Sequence, residues 1–258
     1  MVRVRYPSKV IPPRLGGAVP RTRLFERLDA MTAAPCSWIT AAPGAGKTTL
    51  VNSWSQSRRR PCLWYQFDQR DGDPATFFHY LRMAAARATA SGDVCLPALT
   101  PEYLGGLPIF ARNFFELLYR SLPENAVLIF DNYQDLPADS AVHALFALGL
   151  EAVVPSVKAV VVSRSDPPPE IARLRVNGLI SQLSAGELNL SREEAREIIT
   201  QRQGHLLSED LIDGLLRKAG AGSLVSCCFS NRKTAATNRP EPKNTRRSGC
   251  SIISRGKS

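Results

Sequence analysis

The feature that most constrains this chain is a glycine-rich loop that joins an apolar run to a helix-forming run. The loop is Ala41-Ala42-Pro43-Gly44-Ala45-Gly46-Lys47-Thr48-Thr49, and it follows the apolar run from Cys36 to Thr40. Gly44 and Gly46 allow the backbone to curl so that its N–H groups converge on an anion. The helix expected over 47–56 directs its N-terminal dipole at the same point. This order of elements predicts a phosphate-binding loop.

The residue types in this loop indicate a nucleoside triphosphate as the ligand. Lys47 is expected to reach the β- and γ-phosphates, and the Thr48 hydroxyl is expected to ligate Mg²⁺. The first glycine of the strict pattern is replaced by Ala41, which fits if its φ angle stays negative. An ordinary strand–helix turn with a chance Gly-Lys-Thr is the alternative. The residues predicted to cradle the phosphates are Pro43, Gly44, Ala45, Gly46, Lys47, Thr48 and Thr49.

A net charge of +10 is typical of a nucleic-acid-binding protein, but the positive charge is concentrated at one end of the chain. Residues 221–258 hold eight Lys or Arg and one acid, a net charge of +7, which leaves +3 for residues 1–220. The part expected to fold is therefore nearly balanced in charge. The overall pI says little about its partner.

Cysteine usage and the N-terminus indicate a reduced, cytoplasmic setting. None of the six cysteines forms a Cys-x-x-Cys pair, and the three histidines do not cluster with them. Metal-site spacing is absent, and a disulfide framework is not expected in a chain of this length. Residues 1–14 are basic and proline-rich without the apolar stretch of a signal peptide, and no run has the length of a membrane span.

Short apolar runs alternate with helical patterns, which is typical of a parallel sheet covered by helices. The expected strands are 36–40, 62–67, 126–130, 157–163 and, more weakly, 179–183. The expected helices are 47–56, one beginning after Pro74, one around 110–118, 141–150, 192–203 and 209–218. We predict an α/β fold, a P-loop NTPase with three α/β/α layers and a mostly parallel sheet, followed by short helices and a disordered tail.

The apolar stripes on these helices predict core rather than a cofactor pocket. Their members recur at helical spacing and include Phe77, Phe78, Leu81, Ala84, Ala85, Phe110, Phe114, Leu117 and Leu118. We divide the chain into an N-terminal extension (1–18), an ATPase core (19–185), a helical segment (186–220) and a basic tail (221–258).

Two further strand ends carry candidate site residues. The run from Ala126 to Phe130 ends in Asp131, the position at which a P-loop protein holds the metal-bound water. A second run ends in Ser163 and Arg164, and Arg164 is placed to sense the γ-phosphate because ligands of such sheets lie beyond the carboxyl ends of the strands. A cap at Asp131 and a solvated surface arginine at Arg164 are the alternatives. Arg173 and Arg175 follow; surface exposure is expected for them, and an approach of one of them to the nucleotide is the alternative.

These residues, taken in order, resemble a known module. They resemble the N-terminal ATPase of MalT-like, LuxR-type large transcriptional regulators, a branch of the signal-transduction ATPases called STAND. The resemblance extends over about residues 9–220. Its segments are Lys9 to Pro13, Val19 to Leu24, the phosphate loop, Trp64 to Asp68, Asp73-Pro74, Phe130 to Tyr133, Ser163 to Pro167, Ala172 to Arg175 and Leu188 to Glu194.

The resemblance implies an ATP-driven switch rather than a metabolic enzyme. Such proteins hold ADP when off, exchange it for ATP when an inducer binds a helical sensor, oligomerise, and bring a helix-turn-helix to DNA. By motif match, Asp131 would serve Mg²⁺, Arg164 would be the sensor, and Val19, Pro20 and Arg21 would lie near the adenine. ATP or ADP with Mg²⁺ are the implied cofactors, and self-association is an implied interaction.

Two departures from the family pattern change these expectations. The second acid of the family is replaced by Asn132, which can orient a water but cannot accept its proton, so we predict weak, slow ATP hydrolysis at most. After Gly220 the composition loses its periodic apolar positions, which favours disorder. We expect a chain without the family's sensor and DNA-binding helices, and hence no direct DNA binding. A frameshifted end is the preferred explanation of the tail, and a basic arm is the alternative.

Three functions are compatible with these features. The first is the regulatory ATPase module of a transcription activator. The second is a stand-alone P-loop ATPase or kinase, although no segment supplies the acceptor base and lid arginines of a kinase. The third is a pure nucleotide-binding module without turnover.

Overall fold

The computed structural model describes residues 5–89 and 94–203. The expected helix at 209–218 and the basic tail at 221–258 lie outside the described residues. Within the described ranges, each expected strand is present, and each helix that was expected there is present as well.

The centre of the fold is a sheet of five parallel strands. They are β1 (Cys36–Thr40), β2 (Cys62–Gln66), β3 (Ala126–Asp131), β4 (Val157–Ser163) and β5 (Ile180–Leu183), in the spatial order β2-β3-β4-β1-β5. The expectation was a mostly parallel sheet, and in the described ranges every strand pair is parallel. The strands are nearly continuous apolar runs because both faces of the sheet are covered.

Seven helices surround the sheet in the described part of the chain. They are α1 (Thr22–Met31), α2 (Lys47–Ser57), α3 (Pro74–Ala88), α4 (Leu107–Ser121), α5 (Val142–Glu151), α6 (Pro169–Val176) and α7 (Arg192–Gln203). The sequence analysis missed α1 and α6. In α1, Leu24, Leu28 and Met31 are buried at helical spacing, so the signal was present. In α6, only eight residues follow a run of prolines, too few to show a period.

The two faces of the sheet have different cores. One face is aromatic and is covered by α3, α4 and α5, with Phe67, Phe77, Phe130 and Phe146 in mutual ring contact. The other face is mainly aliphatic, with residues of α1 and α2 packed on β1, β3 and β4. Together they form the three α/β/α layers that were expected.

The predicted apolar stripes are core, with one correction. Phe77, Phe78, Phe110 and Phe114 are buried as expected. The expectation for Leu117 was wrong, because this side chain is 42% exposed on the outer side of α4. Leu117 lies one position from the buried Leu118, so it falls at the edge of the stripe rather than within it.

A buried ion pair fastens the N-terminal segment to the core. The Lys9 ammonium donates to both carboxylate oxygens of Asp71, at 2.6 and 2.8 Å, and to Asp68 at 3.1 Å. Asp71 is fully buried and also accepts from the Tyr65 hydroxyl at 2.7 Å. We call Lys9, Tyr65, Asp68 and Asp71 the N-terminal clamp. No helix in the described ranges has the length and apolar character needed to cross a membrane.

Candidate nucleotide-binding site

The strand order places three predicted site segments on one edge of the sheet. Strand β4 lies between β1 and β3, and all three strands point the same way. The glycine-rich loop after β1, Asp131 at the end of β3 and Arg164 after β4 therefore share the carboxyl edge. The Ala41 N–H donates to the Ser163 carbonyl at 3.4 Å, which ties the start of the loop to β4.

The glycines of the loop adopt the conformation that the motif needs. Gly44 has a φ angle of 79° and Gly46 a φ angle of 78°, and Gly46 is the N-cap of α2. A side chain at either position would be strained in this left-handed region. Ala41 is not among the described non-glycine residues with positive φ, which is the condition under which its methyl group was expected to fit. The methyl is buried in the aliphatic core.

Lys47 is a buried cation held by loop carbonyls. Its ammonium donates to the carbonyl of Ala41 at 2.5 Å and to that of Ala42 at 3.0 Å, and the residue is 8% exposed. Burial lowers the pKa of Lys47, the charge of Arg164 lowers it further, and the charge of Asp131 opposes both. The cation thus lies at the first turn of a helix, where negative charge is stabilised.

Thr48 and Asp131 contact each other directly. The Thr48 hydroxyl lies 3.0 and 3.1 Å from the two carboxylate oxygens of Asp131. Burial raises the pKa of Asp131, and the hydrogen bonds from Thr48 and from the Asn132 N–H together with the charge of Lys47 offset this only in part. A hydroxyl and a carboxylate are oxygen donors of the kind that Mg²⁺ prefers, so these residues fit the predicted metal.

Asn132 follows Asp131 in a left-handed backbone conformation. Its φ angle is 56° and its ψ angle is 39°, a region that Asn and Asp occupy more readily than other side chains. Its N–H donates to an Asp131 carboxylate oxygen at 3.0 Å. The backbone of Asn132 therefore helps to orient Asp131.

Arg164 is exposed just after the end of β4, and its backbone is fixed by a residue of the turn that follows β3. The Arg164 N–H donates to the side-chain oxygen of Gln134 at 3.0 Å. The side-chain nitrogen of Gln134 donates in turn to Asp135 at 3.1 Å. The charge of Arg164 lowers the pKa of Lys47, and β4 ends beside β1, from which the loop begins.

Arg173 and Arg175 lie on α6 and contact other partners. Arg173 donates to Glu151 at 2.7 Å, and Arg175 donates to Gln182 at 3.0 Å. Both contacts are exposed, as expected for surface residues.

A small cavity lies beside the glycine-rich loop. Its volume is about 110 Å³, and one wall consists of loop and α2 residues, including Gly46 and Thr49. Val19 and Arg21 form a second wall, and Leu190 and Ile198 form a third. The fold thus brings the segment predicted to lie near adenine against the phosphate loop. Pro20, between Val19 and Arg21, is exposed.

Arg21 also connects this cavity to α7. Its guanidinium donates to the carbonyls of Leu188 and Asn189 and to the Glu194 carboxylate, the last at 2.8 Å. The same Glu194 oxygen accepts the Ser191 N–H, which completes the predicted capping box of α7. Arg21 Nε and the second Glu194 oxygen are buried without a hydrogen-bond partner in the described part of the chain.

Comparison with curated proteins identifies the domain. The MalT transcriptional regulator of Cronobacter sakazakii is 31% identical over 201 residues, and that of Serratia proteamaculans is 30% identical over 201 residues. The chain contains a MalT-like P-loop NTPase domain. Each match covers 76% of this chain and 22% of the relative, so the chain spans about a fifth of the length of these curated regulators. No protein-family model matches the chain.

Solved structures agree with the MalT-like fold. The Walker-type ATPase of Pyrococcus abyssi has a TM-score of 0.55 at 14% identity, covering 83% of this chain and 68% of that chain. The Orc1 protein of Aeropyrum pernix, solved in complex with DNA, has a TM-score of 0.51 at 14% identity, covering 86% of this chain and 62% of that chain. At these identities the likeness shows the fold alone.

Sequence reasoning missed several residues that surround the site. Gln134 and Asp135 follow Asp131 closely, so the polar run after the strand was a signal for them. The cavity residues Leu190 and Ile198 gave no local signal, since they reach the loop only through tertiary packing. The capping box identified Glu194, but not its partner Arg21, which is 173 residues away.

Proposed function

We propose that this MalT-like domain binds an adenine nucleotide with Mg²⁺ at the glycine-rich loop and serves as a nucleotide-dependent switch. The observation that carries the proposal is the state of Lys47. This buried cation lies at the N-terminus of α2, and it donates hydrogen bonds to two loop carbonyls. A polyphosphate supplies the negative charge that such a position stabilises.

The residues around the proposed polyphosphate site are suited to different roles in binding it. The loop from Pro43 to Thr49 would cradle the phosphates with its N–H groups. Thr48 and Asp131 would hold Mg²⁺, which supplies charge neutralisation of the phosphates when bound. Arg164, on the edge between β1 and β3, would contact the γ-phosphate.

The cavity supports the binding of a base beside the loop, and the family resemblance makes adenine the proposed base. It is lined by Val19 and Arg21 on one side and by Leu190 and Ile198 on the other, directly beside Gly46. An apolar slot with a few polar groups is the usual form of a small-molecule site. ATP and ADP are therefore the proposed cofactors.

The regulatory role comes from the MalT relatives. Because this chain matches only 22% of their length, the regulation of transcription that their name states is not carried over as a whole. We propose a module with slow hydrolysis that self-associates in one nucleotide state, does not itself bind DNA and works in the cytoplasm. The division at residues 18, 185 and 220 is part of the same proposal.

Binding, turnover and association measured on one preparation test this function. We expect saturable binding of ADP and ATP that depends on Mg²⁺, hydrolysis that is slow and indifferent to DNA, and a change in sedimentation between the ADP and ATP states. Hydrolysis stimulated by DNA would favour a stand-alone ATPase, and phosphoryl transfer to an acceptor would favour a kinase. Tight binding without turnover or association would favour a pure nucleotide-binding module.

A further inference from the structure

Asn132, the residue after Asp131, cannot accept the proton of the attacking water in ATP hydrolysis. In hydrolysis, the attacking water must lose a proton, and a carboxylate is a suitable acceptor. Asn132 cannot take a proton at neutral pH. A second carboxylate on the same edge of the sheet is chemically able to take it instead.

Asp135 is such a carboxylate, and the local backbone brings it back to the strand end. The chain turns tightly after β3, because the Asp135 N–H donates to the Asn132 carbonyl at 2.9 Å. Asp135 is half-buried. It lies in the single helical turn that follows β3, four residues after Asp131.

Gln134 links this carboxylate to the end of β4. The side-chain amide of Gln134 donates to Asp135 at 3.1 Å and accepts from the Arg164 N–H at 3.0 Å. One amide group therefore separates Asp135 from the backbone of Arg164. Because β4 lies between β1 and β3, these three residues lie on the same carboxyl edge of the sheet as the glycine-rich loop.

We propose that Asp135 is the carboxylate that accepts the proton of the attacking water, and that Gln134 is the positioning residue that holds it there. This inference rests on the proposed function. The water oxygen forms a bond to the γ-phosphorus, and the bond from that phosphorus to the bridging oxygen breaks. ADP leaves with the electron pair, and the water proton moves to Asp135 and then to solvent. ATP and water give ADP and phosphate.

The test compares Asp135→Asn with Asp139→Asn. The first variant keeps an acceptor for the Gln134 amide and removes the base. The second neutralises an exposed acid four residues further along the same loop. In single-turnover assays with Mg²⁺ and ATP, Asp135→Asn should slow hydrolysis at least about tenfold, since general-base catalysis contributes about 10²–10⁴-fold. Asp139→Asn should hydrolyse ATP at the wild-type rate.

A binding measurement separates catalysis from folding. Asp135→Asn should bind Mg²⁺-ADP with wild-type affinity, because Asp135 is assigned no contact with the diphosphate. It should bind Mg²⁺-ADP with aluminium fluoride more weakly than wild type does, because that complex orders the attacking water. Gln134→Leu should weaken the same complex and lower the hydrolysis rate, which a purely structural side chain would not do while ADP affinity is unchanged.

The effect of Asp135→Asn should become smaller when an acidic side chain is introduced at position 132. In the Asn132→Asp background, Asp135→Asn should slow hydrolysis less than about threefold, because another carboxylate is present. Equal rates for wild type and Asp135→Asn, or a wild type without measurable turnover, would overturn the inference while leaving nucleotide binding intact. Absence of ADP binding would instead overturn the proposed function.

Discussion

Two buried lysines in this domain have opposite surroundings. Lys9 in the N-terminal clamp is 9% exposed and bonds to the carboxylates of Asp68 and Asp71. Lys47 in the glycine-rich loop is 8% exposed and bonds to two carbonyls. The first cation is neutralised by the chain itself. The second lies beside the positive end of α2, and its pKa is lowered first by burial and then by the charge of Arg164.

The different surroundings of Lys9 and Lys47 indicate that the first lysine stabilises the fold and the second binds a ligand. A buried charge costs free energy unless a partner compensates it. The clamp supplies its partner from within the chain and so contributes to stability. In the loop, the charge of Lys47 is compensated by a bound ligand. The buried charges of the site therefore lower the free energy of unfolding of the ligand-free protein. Substitutions in the two regions should therefore have opposite effects on stability and binding.

The largest effect is expected in the clamp. Asp71→Asn leaves the Lys9 ammonium with only its longer contact to the partly exposed Asp68. Because breaking a buried ion pair completely costs about 3–5 kcal/mol, we expect a loss of up to that size. Urea unfolding of the ligand-free protein should show this loss as a lower midpoint. The affinity of the folded fraction for ADP should stay at the wild-type value.

A paired substitution checks the cause of that loss. With Lys9→Met in place, Asp71→Asn should cost clearly less than it does alone, because no cation is left unpaired. If the two losses simply add, the ion pair is not what the clamp contributes.

An intermediate effect is expected at Asn132. Asp is also tolerated at the left-handed position that Asn132 occupies, so Asn132→Asp should fold normally. A carboxylate at position 132, next to Asp131, can accept the proton alongside Asp135. Steady-state phosphate release should therefore rise, by less than the roughly 10²–10⁴-fold that a general base contributes where none is present. Asn132→Ser serves as the control without a base. An Asp variant that is no faster than wild type would show that the residue at 132 does not limit turnover.

The smallest effect is expected at Asp131. Because burial raises the pKa of Asp131, its ionised form destabilises the ligand-free protein at neutral pH. Asp131→Asn should therefore raise the free energy of unfolding slightly, by less than about 1 kcal/mol, and the Tm with it, while it weakens Mg²⁺-dependent nucleotide binding. Thermal melts with and without Mg²⁺-ADP measure both changes.

The pH dependence of stability tests whether ionised Asp131 destabilises the ligand-free protein. The folded-state pKa of Asp131 lies above its unfolded value, so the penalty is fully present at neutral pH. It disappears as the pH falls through the folded-state pKa towards the unfolded one. The stability gap between Asp131→Asn and wild type should narrow on acidification. A stability gap that widens on acidification would contradict a raised pKa of Asp131 in the folded protein.

Local patterns predicted most of the fold. The strands were identified from short apolar runs, and β1 and β4 have the predicted bounds because glycine or proline residues lie close to their ends. The helix α2 was predicted from the loop motif, and α7 from its capping box. Helix α6 was missed because a short segment after prolines carries no period.

Contacts between distant segments could not be predicted in this way. The cavity depends on Leu190 and Ile198 folding back over the loop, and the Arg21–Glu194 pair joins residues far apart in the chain. No spacing rule connects such positions, since their proximity is a consequence of the sheet order. The loop and the strand-end acid were predictable because each is read from neighbouring residues.

The most direct test of this account is a calorimetric titration of the wild-type protein with ADP, with and without Mg²⁺, beside Lys47→Ala and a clamp control, Lys9→Met. The account predicts one saturable site whose affinity increases with Mg²⁺. It also predicts that Lys47→Ala lowers this affinity by about 10–100-fold, the size of a hydrogen bond to a charged group. The folded fraction of Lys9→Met should bind like wild type. Equal affinity for wild type and Lys47→Ala, or no binding at all, would contradict it.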